Sequence, residues 1–221
     1  MRKSSRLRAL FMILSAMSAL AAGLPARAQD APTAARGDIL DEWATVQAPP
    51  APDVAPVRLD PRSTALLILD MQTLLANPGR PRAAAAIPVF SALLARARAA
   101  GVFVAYSTIP TGSSADIVAQ LGPAPGDPVV SSGVDKFFNT DLDAILKSHG
   151  IQTVIVTGTV ANGAVLFTAT GAALRGYKVV VPVDCMPGGD PYSEQFTAWQ
   201  LVNGPGTRYA ARLVRSAGIL F

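Results

Sequence analysis

The chain is 221 residues long, half of it apolar, with 19 Lys+Arg against 15 Asp+Glu. Five of those basic residues sit in an N-terminal export signature, and without them 14 face 15, so nucleic acid is excluded as a partner because the basic footprint that phosphates require is missing. The single cysteine, Cys185, rules out an internal disulfide, and the single histidine, His149, rules out metal sites built from several histidines.

Arg2, Lys3, Arg6 and Arg8 open the chain, an apolar run follows from Ala9 to Leu24, and Pro25 leads to Ala26-Arg27-Ala28. That order is the signature of a secretory signal peptide over 1–28, with cleavage after Ala28 and delivery to the periplasm or medium. The competing reading is a membrane anchor, but about 16 apolar residues fall short of the roughly 20 that a spanning helix needs. Stable membrane association is therefore not expected once the signal is cleaved.

Residues 29–61 form an Ala/Pro-rich lead-in with a short helix expected around Asp38–Val46, where Trp43 reads as a residue seeking burial. A domain over 62–221 follows. Ala65–Leu69 is a short apolar run ending at Asp70, as a buried parallel strand would read. Ile87–Ala100 has helical spacing and stops at Gly101, and Val102–Tyr106 reads as a second strand. The Gly/Pro-rich stretch 110–128 carries at most a short helix at Ser114–Leu121. Thr140 can cap a helix over Asp141–Ser148, stopped at Gly150. Thr153–Thr157 is a third strand, Ala164–Arg175 a helix, Lys178–Val183 a fourth strand and Ser193–Val202 a helix. Arg212–Leu220 suggests an edge strand.

Strand–helix alternation with short loops predicts an α/β fold: a three-layer, Rossmann-like, doubly wound and mostly parallel sheet. Such sheets bind ligands beyond the carboxyl ends of their strands. That rule selects Asp70, Ser107 and Thr108, the segment Gly158–Gly163, and Asp184 with Cys185. A carboxylate closing an apolar strand starts in a dry setting where its proton affinity is tunable; the plain alternative is a cap for the turn at Gln72 and Thr73. Small residues from Gly158 to Ala164 would let backbone N–H groups face an anion, or merely allow a tight turn. Cys185 reads as a small buried residue; as a displaced nucleophile it would have no neighbour to activate it. His149 reads as a helix C-cap residue. Trp199 packs a helix face, walls a pocket or meets another subunit.

TALLILDMQ at 64–72 resembles the opening strand of isochorismatase-like (cysteine) hydrolases. The stretch 137–184, FFNTDLDAILKSHGIQTVIVTGTVANGAVLFTATGAALRGYKVVVPVD, resembles that family's most characteristic block. The resemblance implies the isochorismatase-like hydrolase fold and a mechanism in which an aspartate after the first strand deprotonates a cysteine and a lysine orients and polarises. A cis peptide before the cysteine would shape an oxyanion hole. Asp70 matches the aspartate, and Ala164 stands at the cysteine position. The lysine, counted back from Phe137 without gaps, falls on Ser131. Lys136 offers a substitute within reach of the same cleft, but a solvated lysine pairing with Asp135 or Asp141 is the preferred reading.

The expectation is therefore an exported hydrolase of a small organic substrate, cleaving a vinyl-ether or amide-type bond. Asp70 would move the proton, with Lys136 and Ala164 at the catalytic positions and no thiol nucleophile. Gln72, Ser131, Val160, Ala161, Asn162 and Gly163 are expected around substrate or oxyanion. No cofactor and no metal are expected; members that bind zinc do so through histidines near the first strand, and 71–83 contains none. The partner is a small molecule, with a homodimer or homotetramer compatible. Two alternatives stand: an inactive relative that binds a small molecule or protein, and a Cys-dependent amidase whose cysteine was changed to Ala164 by mutagenesis.

Overall fold

A computed structural model describes residues 37–221. The expected signal peptide over 1–28 and its expected cleavage site lie outside the described residues. The chain divides into two units, one ending at Ala48 and one spanning Pro49–Phe221. In the first, α1 (Ile39–Glu42) and a 3-10 turn at Trp43–Thr45 form where a short helix was expected. Asp38 caps α1 by accepting hydrogen bonds from the Leu40 and Asp41 N–H groups, and the Trp43 side chain is exposed.

The second unit holds a six-stranded parallel sheet. Its strands are β2 (Thr64–Leu69), β3 (Phe103–Thr108), β4 (Val129–Ser131), β5 (Thr153–Gly158), β6 (Lys178–Pro182) and β7 (Ala211–Val214). Their spatial order is β4-β3-β2-β5-β6-β7. A separate parallel pair joins β1 (Val57–Arg58) to β8 (Ile219–Leu220), so the expected single tail strand is divided between two sheets.

Burial on both faces explains why β2 is apolar throughout. Leu66 and Ile68 point to the layer containing α2 (Pro81–Ala99), where they meet Phe90, Leu93 and Ala97. Ala65, Leu67 and Leu69 point to the opposite layer, built from α3 (Leu142–Ser148), α4 (Leu166–Leu174) and α5 (Pro191–Asn203). Alternate residues of one strand thus feed two cores, and the result is the three-layer sandwich expected.

Two elements differ from expectation. α2 begins six residues before Ile87, because Pro81 suits the first helical turn and the helix tolerates Pro88 inside it. The three-residue edge strand β4 pairs with β3 through Ser107↔Val130 and Thr108↔Ser131.

Strand order reverses between β2 and β5, with Leu69 opposite Gly158. A Cβ on Gly158, whose φ is +136°, would lie 2.2 Å from the Leu69 carbonyl oxygen, so only glycine lets the two strand ends meet there. This is the crevice where such sheets take their ligands. Among the described residues no helix is long and apolar enough to cross a membrane.

Candidate functional site

Asp70 leaves β2 at φ +52°, a left-handed conformation that costs little for Asp and much for a branched residue. The Asp70 N–H donates to the Ser107 carbonyl at the end of β3. Its carboxylate is buried and held from both sides. The Ser107 hydroxyl donates to Oδ1 at 2.7 Å, and the Lys136 ammonium meets Oδ2 at 2.7 Å.

Lys136 is wholly buried. Its Nζ also donates to the carbonyls of Ser132 at 3.0 Å and Gly133 at 2.6 Å, so all three ammonium protons are used. Its backbone N–H donates to Thr168 Oγ1 of α4, and the Thr168 hydroxyl faces the Val134 carbonyl. Gly171, one turn further along α4, lets Asp135 approach, since a Cβ there would stand 2.8 Å from Asp135 Oδ1. The loop 132–136 is thereby moored to α4, and the lysine turns inward.

The structure therefore corrects the sequence reading of both positions. Lys136 is not a solvated partner of Asp135 or Asp141. Ser131 lies exposed at the end of β4, two strands from β2, with its hydroxyl aimed at the Ile109 carbonyl. The gap-free count from Phe137 missed because the loop presents its last residue, not its first, to the carboxylate.

Burial disfavours both charges. It pushes the Asp70 carboxyl above its ordinary 3.8, against the pull of Lys136 and Ser107, and pushes the Lys136 ammonium below its ordinary 10.5, against the pull of Asp70. A raised carboxyl contributes stability below 3.8 that is lost as pH rises through its folded value. A lowered ammonium contributes stability above 10.5 that is lost as pH falls through its folded value. Across the window between, where both are charged, the pair costs the fold stability. Lys136→Met should then destabilise the protein by about 3–5 kcal/mol, since it strands a buried carboxylate. Adding Asp70→Asn, which keeps a side chain suited to the left-handed backbone, should recover most of that loss. Urea denaturation of the two variants measures it; a double variant no more stable than the single one contradicts the account.

The segment after β5 forms the other wall. The Thr159–Val160 peptide is cis. Residues Ala161–Val165 make one wide turn leading into α4, with Gly163 at φ −117°, ψ −108° inside it. The N–H of Ala161 donates to the Pro187 carbonyl, and those of Gly163 and Val165 to the Val160 carbonyl. The expected anion cradle at Val160, Ala161, Asn162 and Gly163 is thus narrower: of these four, only the N–H groups of Val160 and Asn162 have no acceptor among the described residues. Ala164 is buried and belongs to the same core cluster as Leu69, Phe137 and Ala161. Gln72 is buried, and its Oε1 accepts from the Ile109 N–H, so it braces the loop after β3 where a substrate contact was expected.

The remaining candidates fall away from this centre. Cys185 is buried, and burial first, then Asp184, pushes its thiol well above the ordinary value. His149 caps α3, with Nδ1 2.9 Å from the Ile145 carbonyl oxygen, as the sequence suggested. The Trp199 side chain is partly exposed on α5. No cluster of metal-ligating side chains occurs among the described residues. Sequence reasoning listed Ser107 only as a strand end and did not find the carbonyls of Ser132 and Gly133 or the Thr168 mooring. Backbone ligands leave no signal in side-chain identity.

The sequence profile of the Isochorismatase domain matches residues 64–212. The chain belongs to the isochorismatase family. An isochorismatase family protein of Desulfovibrio vulgaris superposes on it with a TM-score of 0.63 at 27% identity, covering 71% of this chain and 95% of that one. N-carbamoylsarcosine amidase of Arthrobacter is 30% identical over 105 residues, 44% of this chain and 40% of its own length. Maleamate amidohydrolase of Pseudomonas putida is 27% identical over 169 residues, 62% of this chain and 77% of its own. The matched stretches span about half the length of the first curated relatives, at 50%, 40% and 48%. The isochorismatase fold thus accounts for the parallel sheet and for the place of Asp70 at its crevice.

Proposed function

We propose that this protein is an exported isochorismatase-family hydrolase of small organic substrates, cleaving an amide-type C–N bond or a vinyl ether without a covalent thiol intermediate. The observation that carries this reading is the buried Asp70–Lys136 pair at the crevice between β2 and β5, with Ser107 on the second carboxylate oxygen. Burial that raises a carboxyl brings its proton affinity toward the range useful for general acid–base work near neutrality. Asp70 would carry the proton between water and the leaving group. Lys136 would hold the carboxylate oriented, and the free N–H groups of Val160 and Asn162 would face the developing oxyanion. Relatives named as amidases and amidohydrolases favour the C–N bond.

Ala164 supports a second reading, a binding protein that retains the fold without turnover. Incubating the protein with a panel of small amides and vinyl ethers separates the two. Saturable binding with product supports the hydrolase, and saturable binding without product supports the binder. Export is tested by the intact mass of protein recovered from the periplasm, expected to begin at Gln29. A mass that retains residues 1–28, in the membrane fraction, refutes it.

A further inference from the structure

α4 carries no charged residue from Leu166 to Leu174, although one of its faces meets water. Thr168 and Gly171 take the edge that moors the 132–136 loop, and Ala169 and Ala172 take the core. Phe167 and Leu174, two turns apart, are left on the outer face, 49% and 71% exposed. α5 packs beside α4 in the same layer. Its Ser193, Thr197 and Leu201 are buried, while Tyr192, Phe196 and Trp199, at spacings of four and three, form an exposed stripe. The turn after α5 folds back onto it, with the Thr207 hydroxyl donating to the Gln200 carbonyl. A Cβ on Gly206 in that turn would lie 3.7 Å from Leu174 Cδ2, so the ends of the two helices meet there.

With roughly 150–250 Å² on a whole aromatic side chain, the exposed fractions of Phe167, Tyr192, Phe196 and Trp199 amount to on the order of 400 Å², and Leu174 adds to it. A standard interface buries about 800 Å² per partner, somewhat more than half of it apolar, so this face matches the apolar share of one such contact. The charges around it are already answered within the chain. Glu194 pairs with Arg82, Asp190 caps α5, Arg175 lies over the Phe137 ring and Arg208 over the Tyr209 ring. An uncharged face suits contact with its own copy, because across a twofold axis each residue near the axis faces its counterpart and any charge would face its like. Contacts between different proteins are commonly steered by complementary charge, and this face offers none.

We propose that the outer face of α4 and α5 is a twofold interface with a second copy of this chain, with Phe167, Leu174 and Trp199 in its buried core. The test is independent of any catalytic activity. Sedimentation equilibrium is run on the parent, Phe167→Glu, Trp199→Glu and Leu40→Glu, the last altering a 74% exposed leucine of α1 as a control. The parent and Leu40→Glu should sediment as dimers, or as tetramers where a second interface exists. Phe167→Glu and Trp199→Glu should each halve that mass and weaken association by at least about 100-fold, since each sets like charges inside the contact. Circular dichroism checks that both remain folded.

A milder variant covers the case in which the glutamates unfold the chain. Cys185 is buried, so Leu174→Cys supplies a single accessible thiol. A short bismaleimide should join two copies of Leu174→Cys covalently and leave Leu40→Cys as single chains. The proposal is overturned if the parent is monomeric at micromolar concentration, which leaves the face to a different protein. It is equally overturned if the folded glutamate variants keep the parental mass, if Leu40→Glu dissociates the assembly instead, or if Leu174→Cys cross-links no better than Leu40→Cys.

Discussion

Asp70→Asn should lower turnover of any substrate the protein hydrolyses by a factor of about 10² to 10⁴, the usual worth of a positioned proton-transfer group. Asparagine tolerates the left-handed backbone at 70 and still accepts the hydrogen bond from Ser107, so the geometry of the crevice should survive. It cannot take up a proton. The Lys136 ammonium also loses its counter-charge, and burial then drives it further toward the neutral amine. The pH profile distinguishes chemistry from damage. In the parent, the limb governed by the carboxyl should lie above the ordinary 3.8 because burial raises it, and in Asp70→Asn that limb should vanish. If the variant keeps parental kcat and the same limb, Asp70 is not the proton carrier.

Ala164→Cys should create amide hydrolysis, or raise what exists by about 10² or more, without any second substitution. The reason is Lys136. A thiol at 164 would sit on the wide turn that follows β5, the strand whose end meets that of β2 where the carboxylate–ammonium pair is already assembled, and a nearby cation lowers a thiol's proton affinity and makes it nucleophilic. Because the gap-free count put the family's lysine on Ser131, Ser131→Lys would be the obvious companion change. With Ser131 exposed two strands from Asp70, that change should add nothing beyond Ala164→Cys alone. Ala164→Ser should gain little, since a hydroxyl is far harder to deprotonate. Iodoacetamide alkylation rates give a readout independent of substrate choice. Should Ala164→Cys alkylate no faster than an ordinary thiol and hydrolyse nothing, the pair does not activate position 164.

The parts of this site that were legible in the sequence are those announced by burial pattern. Asp70 ends a run of apolar residues, and a charged residue at that point has no packing role to explain it. Gly158 and the small residues after it mark a turn between strand and helix. Lys136 was in view, yet its partner was misjudged, because nothing in the string shows that residues 132–136 curl back to offer two carbonyls to the ammonium. Loop path is decided by Thr168 and Gly171 on a helix distant in sequence. The edge strand β4 was missed because three residues, two of them exposed, beside a proline-rich stretch carry no period long enough to detect. α2 was shortened because Pro88 reads as a break where tertiary packing of Phe90, Leu93 and Ala97 overrides the lost hydrogen bond.

The pairing of β2 with β5 bears on how the molecule assembles. β2, α2 and β3 are consecutive, so a folding chain can bring Asp70 and Ser107 together through a local crossover. Lys136 and Ala164 arrive only when β5 closes onto β2 across a much longer loop, a step whose entropy cost must be met before its contacts form. An early intermediate would hold the carboxylate half of the site without its cation. Until β5 and its layer dock, that carboxylate is open to water and bears little of the burial cost that raises its proton affinity in the finished fold. The step that buries the candidate catalytic group is therefore also the step that supplies its counter-charge.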